Sequence, residues 1–140
     1  MTRFVVDANV AIKWVLPEIQ SQEALRLLNN DNQLLVPDFF FSEVGNVIWK
    51  RICRKEITLE QAKRCLAQMT GTALGVYSSR LLIPQALEIA VSVQQAVYDC
   101  VYLALAVNKQ CTMVTADERF YNALRNQALA SYLCWIEDLA

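Results

Sequence analysis

Residues 2–7 read TRFVVD and residues 111–117 read CTMVTAD. Each is a short apolar run, rich in β-branched side chains, that ends on an aspartate. Neither alternates apolar with polar positions, so both predict strands buried on two faces. Working outward from the first run, the spacing predicts a helix from about Asn9 to Leu16, stopped by Pro17. Glu18 to Leu28 follows with Ala24, Leu25, Leu27 and Leu28 at helical spacing. NNDN at 29–32 reads as a turn, QLLVP at 33–37 as a strand, and Asp38 to Arg54 as a helix. TLEQ, with Thr58 at the N-cap and Gln61 three residues on, fits a capping box that opens the next helix. From Gly71 to Ser79 the glycines and VYSS predict a loop with one short strand. Residues 85–94 and 96–109 read as helices, DERFYNALRN as a helix, and SYLCWI as a last strand. Strands that alternate with helices and are apolar throughout predict an α/β unit with a parallel sheet covered on both faces. At 140 residues the chain is expected to form a single domain.

Composition narrows the function classes. AVILMFWYC make up 55% of the residues, which excludes disorder and points to apolar surface reserved for a partner. Thirteen basic and 14 acidic side chains give a net charge of −1, so any positive surface for nucleic acid must be local. There is no histidine, which removes His-based acid–base catalysis, Ser-His and Cys-His pairs, and His-containing metal sites. The five cysteines, Cys53, Cys65, Cys100, Cys111 and Cys134, include no C-x-x-C pair and read as buried free thiols of a reducing cytoplasm. Asp7 interrupts the first apolar run, so no signal peptide is expected, and no stretch reaches the roughly 18 apolar residues of a membrane span. The expected setting is cytoplasmic, without a membrane.

Most of the 14 acids fall in polar turns or on helix surfaces, but four lie in apolar company. Asp7 is in FVVDANVAI, Glu43 in FFFSEVGNVIW, Asp99 in AVYDCVYLALAV, and Asp117 closes CTMVTAD. A buried ionised carboxylate costs several kcal/mol, so such groups need cations, donors or an open cleft. Organic cations are scarce: Arg3 and Lys13 near Asp7, Arg119 after Asp117, and only Lys50 and Arg51 within eight residues of Glu43 or Asp99. A divalent metal would resolve the problem in one step, since hard ions such as Mg²⁺ or Mn²⁺ take oxygen ligands. Asp7 and Asp117 also follow strands directly, where ligands of open parallel sheets bind. Taken singly, each acid has a simpler reading. Asp7 and Asp117 stand where N-caps stand, and Asp38 can cap the helix of Glu43, leaving Glu43 as a dipole partner. Asp99 resists that reading, being flanked by apolar residues on both sides. Clustered carboxylates repel, so without metal at least one is expected to have a raised pKa.

At these residues the sequence resembles a known family. VVDANV, Glu43 followed by Asn46, YDCVYLALA and MVTADERF, in this order over essentially the whole chain, are similar to the PIN domain, above all to VapC-type toxins of toxin–antitoxin pairs. The resemblance implies a three-layer α/β/α fold with a mainly parallel sheet and an Mg²⁺- or Mn²⁺-dependent ribonuclease. Asp7, Glu43, Asp99 and Asp117 match the family's acids, with Asp7, Asp99 and Asp117 as metal ligands and Glu43 as a ligand or the residue that orients water. Asn9, Asn46 and Thr115 match supporting polar positions. It further implies an RNA substrate, a cognate antitoxin and a homodimer.

Other residues carry two readings each. Lys50, Arg51 and Arg54 in WKRICRKE complement a helix C-terminus, or contact phosphate together with Lys63 and Arg64. Lys13 either reaches RNA phosphate or pairs with an acid. Thr115 either supports the acids or forms a capping box with Glu118. Trp14, Trp49, Trp135 and the FFF of 39–41 read as core or interface, the last with area to spare for a dimer or antitoxin groove. Two rival functions stay in view. An Asp-nucleophile phosphatase or phospho-acceptor would use Asp7, although the pattern of that class expects an aspartate where Asn9 stands. A non-catalytic binding module would keep the fold without turnover, although its acids are intact.

Overall fold

The computed structural model describes residues 1–140. Its strands are β1 (Thr2–Val6), β2 (Asn32–Pro37), β3 (Gly75–Tyr77), β4 (Thr112–Thr115) and β5 (Leu133–Trp135). Its helices are α1 (Ala8–Ala11), α2 (Ser21–Leu25), α3 (Phe40–Cys53), α4 (Leu59–Thr70), α5 (Ser79–Val93), α6 (Val97–Lys109) and α7 (Glu118–Leu124). The strands form one sheet in the order β3-β2-β1-β4-β5, and every neighbouring pair is parallel.

Strand β1 lies at the centre, with Val5 opposite both Leu35 and Met113. Val5 and Val6 point to opposite faces of the sheet, and neither is accessible to solvent. Both faces are therefore covered, as the unbroken apolar strand pattern requires. Helix α6 lies across β1, β2 and β4 and packs along α5, while α1 packs on α3 and α3 on α4. The result is a three-layer α/β/α arrangement around a fully parallel sheet. Buried α6 residues from Cys100 to Ala106 supply much of one layer. No single helix is long and apolar enough to cross a membrane.

The chain runs outward from β1 through β2 to β3, then returns to β4 on the other side of β1. Strand order reverses there, and that reversal opens a crevice beyond the carboxyl ends of β1 and β4.

Several local expectations are corrected. Helix α5 starts at Ser79, not 85, and carries Pro84 inside it. A proline early in a helix forfeits one backbone hydrogen bond, and burial of Leu82, Ala86, Ile89 and Ala90 on the same helix outweighs it. The stretch from Asn9 to Leu16 holds only a short α1 that tightens into a 3₁₀ turn at Ile12–Trp14. The Glu18–Leu28 stretch likewise holds α2 and a 3₁₀ turn at Arg26–Leu28. Asp38 does not cap α3, whose N-cap is Phe39 with no side-chain bond. The Thr58–Gln61 capping box forms as expected. All five cysteines are free, but only Cys65 and Cys100 are buried; Cys53 is exposed.

Candidate active site

Asp7 is the first residue after β1, so the sheet delivers it directly to the crevice. It is only 5% exposed, and its Oδ1 accepts a hydrogen bond of 2.8 Å from the Val10 amide at the start of α1. Asp117 occupies the equivalent place after β4, and its Oδ1 accepts from the Phe120 amide at 3.1 Å. Both are thus true N-caps. Capping uses one carboxylate oxygen of each and leaves the other, so the cap does not compete with a second role. Asp117 is exposed, although the strand before it is apolar and buried.

Glu43 stands in the first turn of α3 and Asp99 in the first turn of α6, where helix dipoles favour negative charge. Both are partly buried. The Tyr102 hydroxyl donates a short hydrogen bond to Glu43 Oε1. Edge-on packing of Phe39 against the Tyr102 ring, with centroids 5.6 Å apart, fixes that tyrosine.

The four acids act on one another electrically. Burial pushes Asp7 up to about 7, against the lowering hydrogen bond from Val10, and the charges of Asp99, Glu43 and Asp117 push it further. Asp99 is raised to about 6, first by burial and then by Asp117 and Glu43. Glu43 is raised by burial and partly restored by Tyr102. Burial is the first cause of all three raised values, and neighbouring carboxylates add to it for Asp7 and Asp99.

The donor set is entirely oxygen, which suits a hard divalent ion and no soft one. The sulfur nearest in sequence, Cys100, is buried, and its thiol is pushed up to about 11 by burial and by Asp99. As they stand, no three His, Cys, Asp or Glu side chains are grouped closely enough to hold a metal ion among them. Mg²⁺ keeps several waters and takes few protein carboxylates, so Asp7, Asp99 and Asp117 would hold it partly through water.

A cleft of about 440 Å³ runs from Asp117 and Asn9 to Lys13, Glu18, Lys50, Arg51 and Arg54. All four basic candidates therefore line the same cleft as one of the acids. Lys13 Nζ donates to Glu18 Oε1 at 3.2 Å and to the Ile19 carbonyl at 2.8 Å. Arg51 pairs with Glu18, and with Glu56 at 3.3 Å. Arg3 is not near Asp7; it donates to the Lys109 carbonyl at 2.7 Å. Thr115 is buried, and its Oγ1 accepts from the Asp117 amide at 3.1 Å, so it braces Asp117 instead of boxing with Glu118. Asn9 is exposed on the cleft wall, while Asn46 is exposed on α3 without a side-chain hydrogen bond. Trp14 donates to the Ala24 carbonyl at 2.9 Å and is structural.

Sequence reading missed Tyr102 and Glu18. Tyr102 follows Asp99 by three residues, which puts both on one helix face; that spacing was the available signal. Glu18 gave none, because its partners Lys13 and Arg51 belong to different elements.

A PIN domain family model matches residues 4–125. Over 119 residues the chain is 29% identical to Ribonuclease VapC3 of Pyrobaculum aerophilum, covering 84% of this chain and 91% of that protein. A crystal structure of a protein from Pyrobaculum aerophilum superposes with a TM-score of 0.74 at 18% identity, covering 99% of this chain and 86% of that one. A toxin–antitoxin complex from Klebsiella pneumoniae gives 0.62 at 15% identity, covering 86% and 91%. With acids gathered at the reversal point of a parallel sheet and one family model spanning residues 4–125, the chain belongs to the PIN domain family.

Proposed function

We propose that this chain is an endoribonuclease dependent on Mg²⁺ or Mn²⁺ and serves as the toxin of a toxin–antitoxin pair. The observation that carries the reading is Asp7, buried directly after the central strand, with Asp99, Glu43 and Asp117 near enough for their charges to raise its pKa. Likeness to Ribonuclease VapC3 supports the substrate class.

Asp7, Asp99 and Asp117 are the residues that hold the ion in this reading, as a mixed set of one buried, one half-buried and one exposed carboxylate. A divalent ion there supplies an activated water and neutralises charge on the phosphoryl group. Glu43 has Oε1 fixed by Tyr102, and Oε2 takes no protein donor. Oε2 is then free to accept a proton from the attacking water. Thr115 holds the Asp117 backbone, and Asn9 and Asn46 offer polar contacts to the strand. Lys13, Lys50, Arg51 and Arg54 bind the RNA phosphates along the cleft.

The same reading includes a cognate antitoxin and a second copy of the chain, in the cytoplasm. Leu81, Leu87 and Val91 are 82%, 54% and 72% exposed along α5 and offer apolar surface to the second copy. The test is RNA cleavage by purified protein. Cleavage is expected with Mg²⁺ or Mn²⁺ and is lost with EDTA or in Asp99→Asn, and Glu43→Gln lowers kcat by roughly a hundredfold or more. Cleavage that survives chelation and Asp99→Asn ends the reading.

A further inference from the structure

Glu18 lies inside the cleft that also contains Asp117 and Asn9. Its two carboxylate oxygens hold different cations: Oε1 accepts from Lys13 Nζ, and Oε2 pairs with the Arg51 guanidinium. The cleft wall carries four cations, Lys13, Lys50, Arg51 and Arg54, against two carboxylates, Glu18 and Asp117. In a chain of net charge −1 this is a local positive surplus beside an acidic site. A carboxylate bridging an ammonium and a guanidinium presents the same pattern as the two non-bridging oxygens of a phosphodiester, one oxygen to each cation.

We propose that Glu18 occupies an RNA phosphate subsite, and that a substrate phosphate displaces its carboxylate from Lys13 and Arg51. The inference rests on the nuclease reading and adds the place where the strand enters. Displacement exchanges one anion for another: the side chains are mostly buried, 11% exposed for Lys13, 18% for Glu18 and 23% for Arg51, so the phosphate must supply the charge that Glu18 withdraws. Neither cation is orphaned when Glu18 turns away, since Lys13 keeps the Ile19 carbonyl and Arg51 keeps Glu56. The same two contacts mean that Glu18→Gln should fold. Until RNA arrives, Glu18 screens the two cations and holds them in place.

Binding of a short fluorescein-labelled single-stranded RNA, followed by anisotropy in EDTA, tests this with Asp99→Asn as the uncleaving parent. Adding Glu18→Gln is expected to tighten Kd by roughly threefold or more and to steepen the dependence of log K on log salt by about 0.7 for each phosphate newly engaged. Adding Lys13→Gln as well is expected to cancel the gain. A parent that binds RNA but whose Kd and salt slope ignore Glu18→Gln, or weaken with it, overturns the inference alone. A parent that binds no RNA overturns the nuclease reading with it.

Discussion

Asp7 caps α1 while burial and neighbouring charges act on its carboxyl. Its carboxyl titrates near 3.8 in the unfolded chain and near 7 when folded. Between those values the folded state holds more protons than the unfolded one, so stability is fullest below about 4 and is lost as pH rises through about 7. Asp99 adds a slope of the same sign up to about 6. Thermal unfolding in EDTA should therefore show Tm of the wild type falling relative to Asp7→Asn as pH rises across this window. Parallel curves for the two proteins would contradict the burial and coupling described for Asp7. The four acids were legible in the sequence because a lone charge in an apolar run must have a reason. Tyr102 was not, since a tyrosine in such a run reads as core. Glu18 looked like an ordinary surface charge, and Lys13 and Arg51 each carried two readings, until the fold brought their elements together.

At the scale of elements, caps and acids coincide. Helix α7 starts on Asp117 because its carboxylate takes the Phe120 amide, and the Thr115 hydroxyl steadies the turn. Asparagine caps a helix about as well as aspartate, whereas alanine at such a position costs about 1 kcal/mol. Asp117→Asn should therefore leave stability in urea nearly unchanged, and Asp117→Ala should lose about 1 kcal/mol, yet neither should cleave RNA. Cleavage by Asp117→Asn at the wild-type rate would reduce Asp117 to a cap. The parallel strands were legible because apolar runs bounded by turn residues leave little choice. Helix ends were less so. Pro84 is the sixth residue of α5, past the first turn, so the helix continues at the cost of a backbone hydrogen bond, and the burial that favours continuing it is a tertiary fact. The tight turns after α1 and α2 likewise answer to packing rather than to local propensity.

Across the whole molecule, the four acids come from four separate places: the ends of β1 and β4 and the first turns of α3 and α6. Because β4 returns to the far side of β1, the ends of both strands lie side by side, and the charges of Glu43, Asp99 and Asp117 all reach Asp7. Beside them the cleft gathers four cations in a nearly neutral chain. A divalent ion bound there would relieve the repulsion among these carboxylates and would displace the protons they hold. Isothermal titration of Mn²⁺ into the wild type and Asp99→Asn, in buffers of different ionisation enthalpy, measures both effects at once. Near neutral pH the wild type should show saturable binding with proton release, and Asp99→Asn should lose most of the affinity. Binding without proton release, or equal binding by the two proteins, would contradict the account.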